Sequence, residues 1–219
     1  MEKTRIWDIP VRLFHWTLLV LVSVSLYTGL TGGFDEMEYH MLSGYAILSL
    51  VLFRLVWCFI GTTYARFATF IKGPGTIVEH IKSLPTQEGE SAGHNPLGAL
   101  GIIALLLSLL VQAGTGLFAN DDIFTEGPLV HLVSYDTSRS LTAIHEWNYY
   151  VLATLIGLHL VAIAFYELYL RERLILPMIT GYKRIKAHSV EFSWTRELAV
   201  GVIAMGICAA LVYGAIEYL

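Results

Sequence analysis

Eight histidines stand in this 219-residue chain, and four of them, His15, His40, His145 and His159, lie inside or at the edge of strongly apolar segments. An ionisable ring is costly at membrane depth, so such residues mark ligand, proton or electron sites by default. His145 and His159 are fourteen residues apart on one predicted helix. At about 3.6 residues per turn that is nearly four turns, so both rings point to much the same face with about 21 Å between them along the axis. The separation suits two stacked haems, one near each membrane surface. Each would need a second imidazole from another helix at the same depth.

The elements that must carry these rings are membrane helices. The chain is 55% hydrophobic and 15% charged, with a mean hydropathy of +0.61, too apolar for a soluble domain to cover its own surface. Spanning a bilayer takes about 20 mainly apolar residues, and five stretches qualify, at about 11–30, 40–60, 97–119, 141–170 and 198–218. The reading is an all-α integral membrane protein: one domain over residues 1–219, a transmembrane bundle of five helices, four of them forming the di-haem core. The fourth stretch exceeds one crossing, so it should tilt or run out into water. The first reads as a span rather than a cleaved leader, because the small-residue cleavage pattern is weak around Tyr27 to Gly33 and a histidine sits early in the run. Cys58 and Cys208 lie in different spans with no CxxC or CxxCH, which excludes covalent c-type haem and a disulfide framework.

Charge sets the orientation. Lys3, Arg5, Arg12, Arg54, Arg66, Lys72, Lys82, Arg171, Arg173, Lys183, Arg184, Lys186 and Arg196 fall on one set of loops and span ends, and Arg139 alone falls on the other. By the positive-inside rule the N-terminus is cytoplasmic and, after five crossings, the C-terminus is periplasmic. His15 and His159 then share the inner level and His40 and His145 the outer one. Two independent inferences, loop charge and helical spacing, thus converge on the same pairs. The outer loops carry Asp35, Glu36, Glu38, Asp121, Asp122, Glu126 and Asp136, which give that face a negative sign.

Gly32-Gly33 breaks the first hairpin, and Gly73-Pro74-Gly75, Pro85 and Asn95-Pro96 punctuate the long inner loop. Between those breaks residues 76–84 form a short amphipathic segment expected on the inner membrane surface. Gly29, Gly44, Gly101 and Gly116 stand where a porphyrin edge could approach a helix backbone, or where helices pack closely. His80, His94, His131 and His188 read as surface residues, with His94 kept as a candidate for a propionate or a quinone proton. Arg12 and Arg54 are candidate partners for inner propionates, or simple anchors.

The run Ile6-Trp7-Asp8-Ile9-Pro10-Val11-Arg12-Leu13-Phe14-His15-Trp16, His40 with Ser43-Gly44, Phe53-Arg54-Leu55, Gly93-His94-Asn95-Pro96-Leu97-Gly98, and His145 with His159 resemble the bacterial cytochrome b561 family. The nearest branch is similar to the cytochrome b subunits of nickel-iron hydrogenases. The resemblance covers most of the chain, and the fifth helix departs from the four-helix members. It implies low-spin, non-covalent haem b with two histidines on each iron, and electron exchange with quinone in the bacterial cytoplasmic (inner) membrane. With both axial positions filled, haem would relay electrons rather than bind oxygen.

The expected function is therefore a di-haem electron-transfer subunit of a quinone-linked oxidoreductase. It would relay electrons between the quinone pool and a periplasmic redox partner, a hydrogenase or a c-type cytochrome, with membrane lipid as solvent and no nucleic-acid partner. A free-standing superoxide:quinone oxidoreductase is the second reading, disfavoured because an anion would meet a negative outer face. A metal-ion transporter is the third, disfavoured because its ligands should gather at the midplane.

Overall fold

The computed structural model describes residues 2–71, 73–83, 95–185 and 193–219. Five of its helices are long and apolar enough to cross a membrane, and local chemistry decides where each begins. Asp8 accepts a hydrogen bond from the Val11 amide at 2.7 Å and Pro10 sits in the first turn, so α1 runs Ile9–Thr31 until Gly32 turns left-handed at φ 68°. Helix α2, Phe34–Ile60, starts six residues earlier than expected. Its first turn holds Asp35 and Glu36, which suit a helix N-terminus electrostatically but are invisible to hydropathy.

Two short helices follow, α3 at Phe67–Phe70 and α4 at Pro74–Ser83, the latter at the amphipathic segment. Asn95 caps α5, Pro96–Gly116, by accepting from the Gly98 amide at 2.6 Å. This helix stops three residues short of the expected 119, where the chain turns into a loop closed by a bridge between Asn120 and Glu126. Ser134 caps α6, Tyr135–Ala164, again six residues before the expected start. Beyond Ala164 the helix widens into a π turn, Phe165–Tyr169. Helices α7, Ile175–Thr180, and α8, Trp194–Tyr218, complete the set.

A two-stranded antiparallel sheet was not expected from the sequence. It pairs β1, Glu2–Arg5, with β2, Tyr182–Ile185, in a register that sets Thr4 opposite Lys183. Around it Arg5 bonds Glu197 at 2.8 Å and stacks 3.8 Å over Trp194, while buried Lys183 bonds Glu172 at 2.7 Å. Near the far end of α8, His131 Nε2 meets the Leu219 carbonyl oxygen at 2.9 Å. These contacts tie the chain together near the two ends of α8.

Helix α1 packs on α2, and α5 on α6, as two hairpins, and α2 also touches α5 and α8. One core forms from Ile6, Val11, Phe14, Phe53 and Trp57 with Ala204 and Cys208 of α8. Gly201 lets α8 come this close, since a Cβ there would stand 2.8 Å from Pro10 Cγ. The fifth span is thus built into the bundle. A second cluster, Ile47, Val51, Leu109 and Leu152, fills the space among α2, α5 and α6.

Candidate functional site

The imidazoles of His40 on α2 and His145 on α6 confront each other with ring centroids 6.1 Å apart and planes at 85°. His40 Nδ1 lies 2.8 Å from the Ser25 carbonyl oxygen of α1, and His145 Nδ1 lies 2.8 Å from the Gln112 carbonyl oxygen of α5. A carbonyl oxygen only accepts, so each Nδ1 carries the proton and each Nε2 keeps its lone pair. With metal–imidazole bonds of about 2 Å and a ring radius of about 1 Å, two imidazoles sharing one metal have centroids about 6 Å apart. The pair has the spacing, the free nitrogens and the tautomers that a shared iron demands.

How the rings reach those carbonyls is written in the helices. Ser25 and Gly29, like Gln112 and Gly116, are four residues apart, so each carbonyl already accepts its own helix amide and offers its second lone pair to histidine. A Cβ on Gly29 would stand 2.7 Å from both Cε1 and Nδ1 of His40, and one on Gly116 would stand 3.0 Å from His145 Cε1. Both glycines clear space for a histidine ring, a different role from the porphyrin contact expected of them. Gly44 and Gly101, by contrast, have nothing within 4 Å of where a Cβ would stand, which is room a macrocycle edge could use.

A polar stitch holds α5 against α6 at this level. Asn148, one turn beyond His145, donates to the Ser108 carbonyl at 2.9 Å and to Gln112 Oε1 at 2.7 Å, and accepts from Ser108 Oγ at 3.1 Å. The sequence reading missed these residues. Asn148 and Gln112 were visible as polar side chains at membrane depth, where an unpaired amide is expensive.

The structure also brings His15 and His159 together, within electrostatic range of one another. His15 packs edge-on against Trp16 at 5.1 Å, and its buried Nδ1 has no hydrogen-bond partner among the described residues. Helix α6 is continuous between His145 and His159, so the two levels are separated by about 21 Å along that helix.

The remaining candidates lie elsewhere. Arg54 is buried and donates to the Ala65 carbonyl at 3.2 Å and to Cys58 Sγ at 3.0 Å, so it braces the end of α2. Arg12 donates to the Ile179 carbonyl. His80 meets the Tyr166 hydroxyl at 3.2 Å, joining α4 to the π turn. His94 and His188 lie outside the described residues. Among the acids, Asp122 is bound to Arg139 at 2.9 Å. Asp121 caps its loop: the amides of Thr125, Ile123 and Phe124 hold its carboxyl well below the usual range, at about 2.

Residues 6–181 match the profile of the prokaryotic cytochrome b561 family. The chain belongs to that family. Among curated proteins this cytochrome is similar to a protein named the probable Ni/Fe-hydrogenase 1 B-type cytochrome subunit, from Escherichia coli strain K12 and from Escherichia coli O157:H7. Each is 21% identical over 214 residues, covering 83% of this chain and 91% of the relative. No solved structure matches it significantly. Family and apolar helices together make this a multi-pass membrane cytochrome b that binds haem and transfers electrons.

Proposed function

We propose that this cytochrome holds two haems b, one between His40 and His145 near the periplasmic surface and one between His15 and His159 near the cytoplasmic surface. Its task is to relay electrons across the bacterial inner membrane between a periplasmic redox partner and quinone. The observation that carries this reading is the His40–His145 pair, 6.1 Å apart with both Nδ1 atoms bound to main-chain carbonyls.

Haem, held by the imidazoles of His40, His145, His15 and His159, would supply one-electron chemistry. The protein's part is orientation. Ser25 and Gln112 fix the tautomer and plane of their rings through main-chain hydrogen bonds, and such partners also raise ligand basicity. Helix α6 carries one ligand of each pair and therefore sets the distance between the two levels. The basic residues favour a cytoplasmic β1–β2 end, since thirteen of the fourteen fall on that side. Arg5 and Lys183 are ion-paired there, but the rule follows Lys and Arg counts rather than net charge.

The hydrogenase named for the Escherichia coli relative, or a c-type cytochrome, is the class of partner proposed. Asp35, Glu36 and Glu38 at the start of α2 present the docking charge beside His40. Neutralising these three should slow haem reduction by the partner at low salt and lose that effect as the Debye length falls to about 8 Å. Equal rates at every ionic strength would remove the charged docking face.

The ligand assignment is tested by replacing each of the four histidines with alanine and measuring the ratio of haem to purified protein. Each variant should retain one haem of two, and full occupancy in any of them would strike that residue from the site. Reporter fusions at Asp35, Lys82, Asp136, Lys183 and Leu219 should read out, in, out, in, out. A cytoplasmic Leu219 would refute the topology.

A further inference from the structure

Two six-residue runs repeat one pattern, Val24-Ser25-Leu26-Tyr27-Thr28-Gly29 in α1 and Val111-Gln112-Ala113-Gly114-Thr115-Gly116 in α5. In each, the carbonyl at the second position accepts from a histidine Nδ1 and the glycine at the sixth clears space for that ring. The threonine between them is also used alike. Buried Thr28 donates to the Val24 carbonyl at 2.8 Å, with the Ser25 carbonyl at 3.3 Å. Buried Thr115 donates to the Val111 carbonyl at 2.7 Å, with the Gln112 carbonyl at 3.2 Å. Both valine side chains are exposed, so the first position contributes only its carbonyl.

Threonine bonding back to the preceding turn is common, and the pairs Thr31-Gly32 and Thr180-Gly181 do the same. Those pairs end helices, and their glycines carry the left-handed φ of 68° and 87° that such an ending uses. Gly29 and Gly116 have no positive φ, and each faces a histidine ring instead. The recurrence at 28–29 and 115–116 therefore follows the rings and not the need to stop a helix.

We infer that the repeat is one histidine socket used twice, and that Thr28 and Thr115 are positioning residues for His40 and His145. A threonine hydroxyl bonded to the carbonyl four residues back spreads that turn and bends the helix there. The carbonyls of the turn then tilt off the helix axis, which brings the second lone pair of Ser25 and of Gln112 round to the neighbouring helix. A hydroxyl oxygen also guards each tautomer. Thr115 Oγ1 lies 3.4 Å from His145 Nδ1 with its own proton committed to Val111, so toward the ring it only accepts. In the other socket Ser25 Oγ stands in the matching place, 3.3 Å from His40 Nδ1. The sockets belong to different helices and hold opposite rings, so each ring is oriented on its own account. The holding of the rings stands on this geometry, and its consequence for haem rests on the proposed assignment of a haem to His40 and His145.

The test removes the hydroxyls and keeps the shape. Thr28→Val and Thr115→Val are compared with Thr31→Val, which loses the same kind of bond at the end of α1. All three are made in a His159→Ala background, so that the haem between His40 and His145 is read alone. Each socket variant should change the ferric low-spin EPR signal, which reports the orientation of the two imidazole planes. Each should also quicken haem transfer to an external acceptor about tenfold, the low end of the loss expected when the partner of a metal-ligating histidine is disturbed. Thr31→Val should do neither, and Thr28→Ser and Thr115→Ser, which keep the hydroxyl, should retain the parent signal. An unchanged signal in either valine variant, or an equal change in its serine counterpart, overturns the inference. Where a valine variant fails to fold, the wild type decides. In its reduced, diamagnetic state, with isotopically labelled histidine nitrogen, both Nδ1–H protons of this level should resist exchange with deuterated water, and free exchange of either overturns the inference. A His159→Ala protein without haem, or a His40→Ala protein that keeps both haems, would instead overturn the assignment beneath it.

Discussion

The two ends of this bundle are rigid for different reasons. At the His40–His145 end order resides in the rings themselves, each anchored to the main chain of a neighbouring helix across a glycine. At the His15–His159 end the rings have no such anchors among the described residues, and order resides in the scaffold around them. There Asp8 accepts from the Val11 amide at 2.7 Å, Trp57 Nε1 at 3.0 Å and Thr62 Oγ1 at 2.5 Å. The strand pair and two ion pairs close that end. A membrane protein can thus hold a ligand by direct contact or by fixing the helix that bears it, and the two solutions should fail differently.

The largest effect comes from testing whether the levels are independent. The double variant His40→Ala with His145→Ala should lose one haem, no more than either single change. His15→Ala with His40→Ala should lose both. A haem to protein ratio that falls equally in the two doubles would break the pairing.

Next in size is Asp8→Ala. It removes a helix cap and leaves the Trp57 and Thr62 donors unpaired in a buried corner, at a combined cost of about 2 to 4 kcal/mol. Thermal unfolding in detergent should drop accordingly, and haem should leave the His15–His159 level first, so that the haem to protein ratio falls to one before it falls to zero on warming. Simultaneous loss of both haems would mean that Asp8 supports the whole bundle rather than one end.

A smaller, complementary effect is expected from Gly29→Ala. The added methyl must displace His40, an overpacking cost of about 1 to 3 kcal/mol, so haem transfer to an external acceptor should quicken roughly tenfold at the His40–His145 level only. Gly206→Ala, where a Cβ meets nothing within 4 Å, is the control. Equal behaviour of the two variants would refute the clearance role.

Much of this organisation was legible in the sequence because two signals there are strong. Twenty apolar residues in a row have few alternatives to a span, and a fourteen-residue histidine spacing repeats a helical face. Helix starts were not legible, since polar first turns such as Asp35-Glu36 and Asp136 carry no hydropathy signal. The anchoring carbonyls were hidden for another reason: every helical residue has one, and only the neighbour's geometry selects Ser25 and Gln112. The glycine four residues later is the available clue, but in the sequence it stands equally for a porphyrin edge or for close helix packing. The β1–β2 pair joins four-residue strands across nearly the whole chain, where local pattern says nothing. Arg54, read as a propionate partner or an anchor, shows the converse: its charge was plain, but its direction was not.

The smallest expected effect concerns the loop beside the His40–His145 end, and it asks how far that end's rigidity extends. Asp121 accepts from the amides of Ile123, Phe124 and Thr125, each at 2.9 Å, and these bonds lower its pKa from 3.8 to about 2. A carboxyl whose folded pKa is depressed contributes stability that is present above its unfolded pKa and lost as pH falls through the folded value. The loop should therefore keep its shape at neutral pH and loosen between about pH 4 and pH 2. Pepsin, active in that window, gives the readout: cleavage within residues 121–126 should be slower in the wild type than in Asp121→Ala near pH 4, with the ratio approaching one near pH 2. The loop is tied to α6 through the Asn120 amide and Thr142 Oγ1 at 3.0 Å, one turn before His145. At neutral pH, however, His145 takes its orientation from α5 and not from this loop. Asp121→Ala should therefore leave the haem to protein ratio and the haem spectrum unchanged at neutral pH, and loss of haem from the His40–His145 level would show that the loop, too, helps to hold the ring.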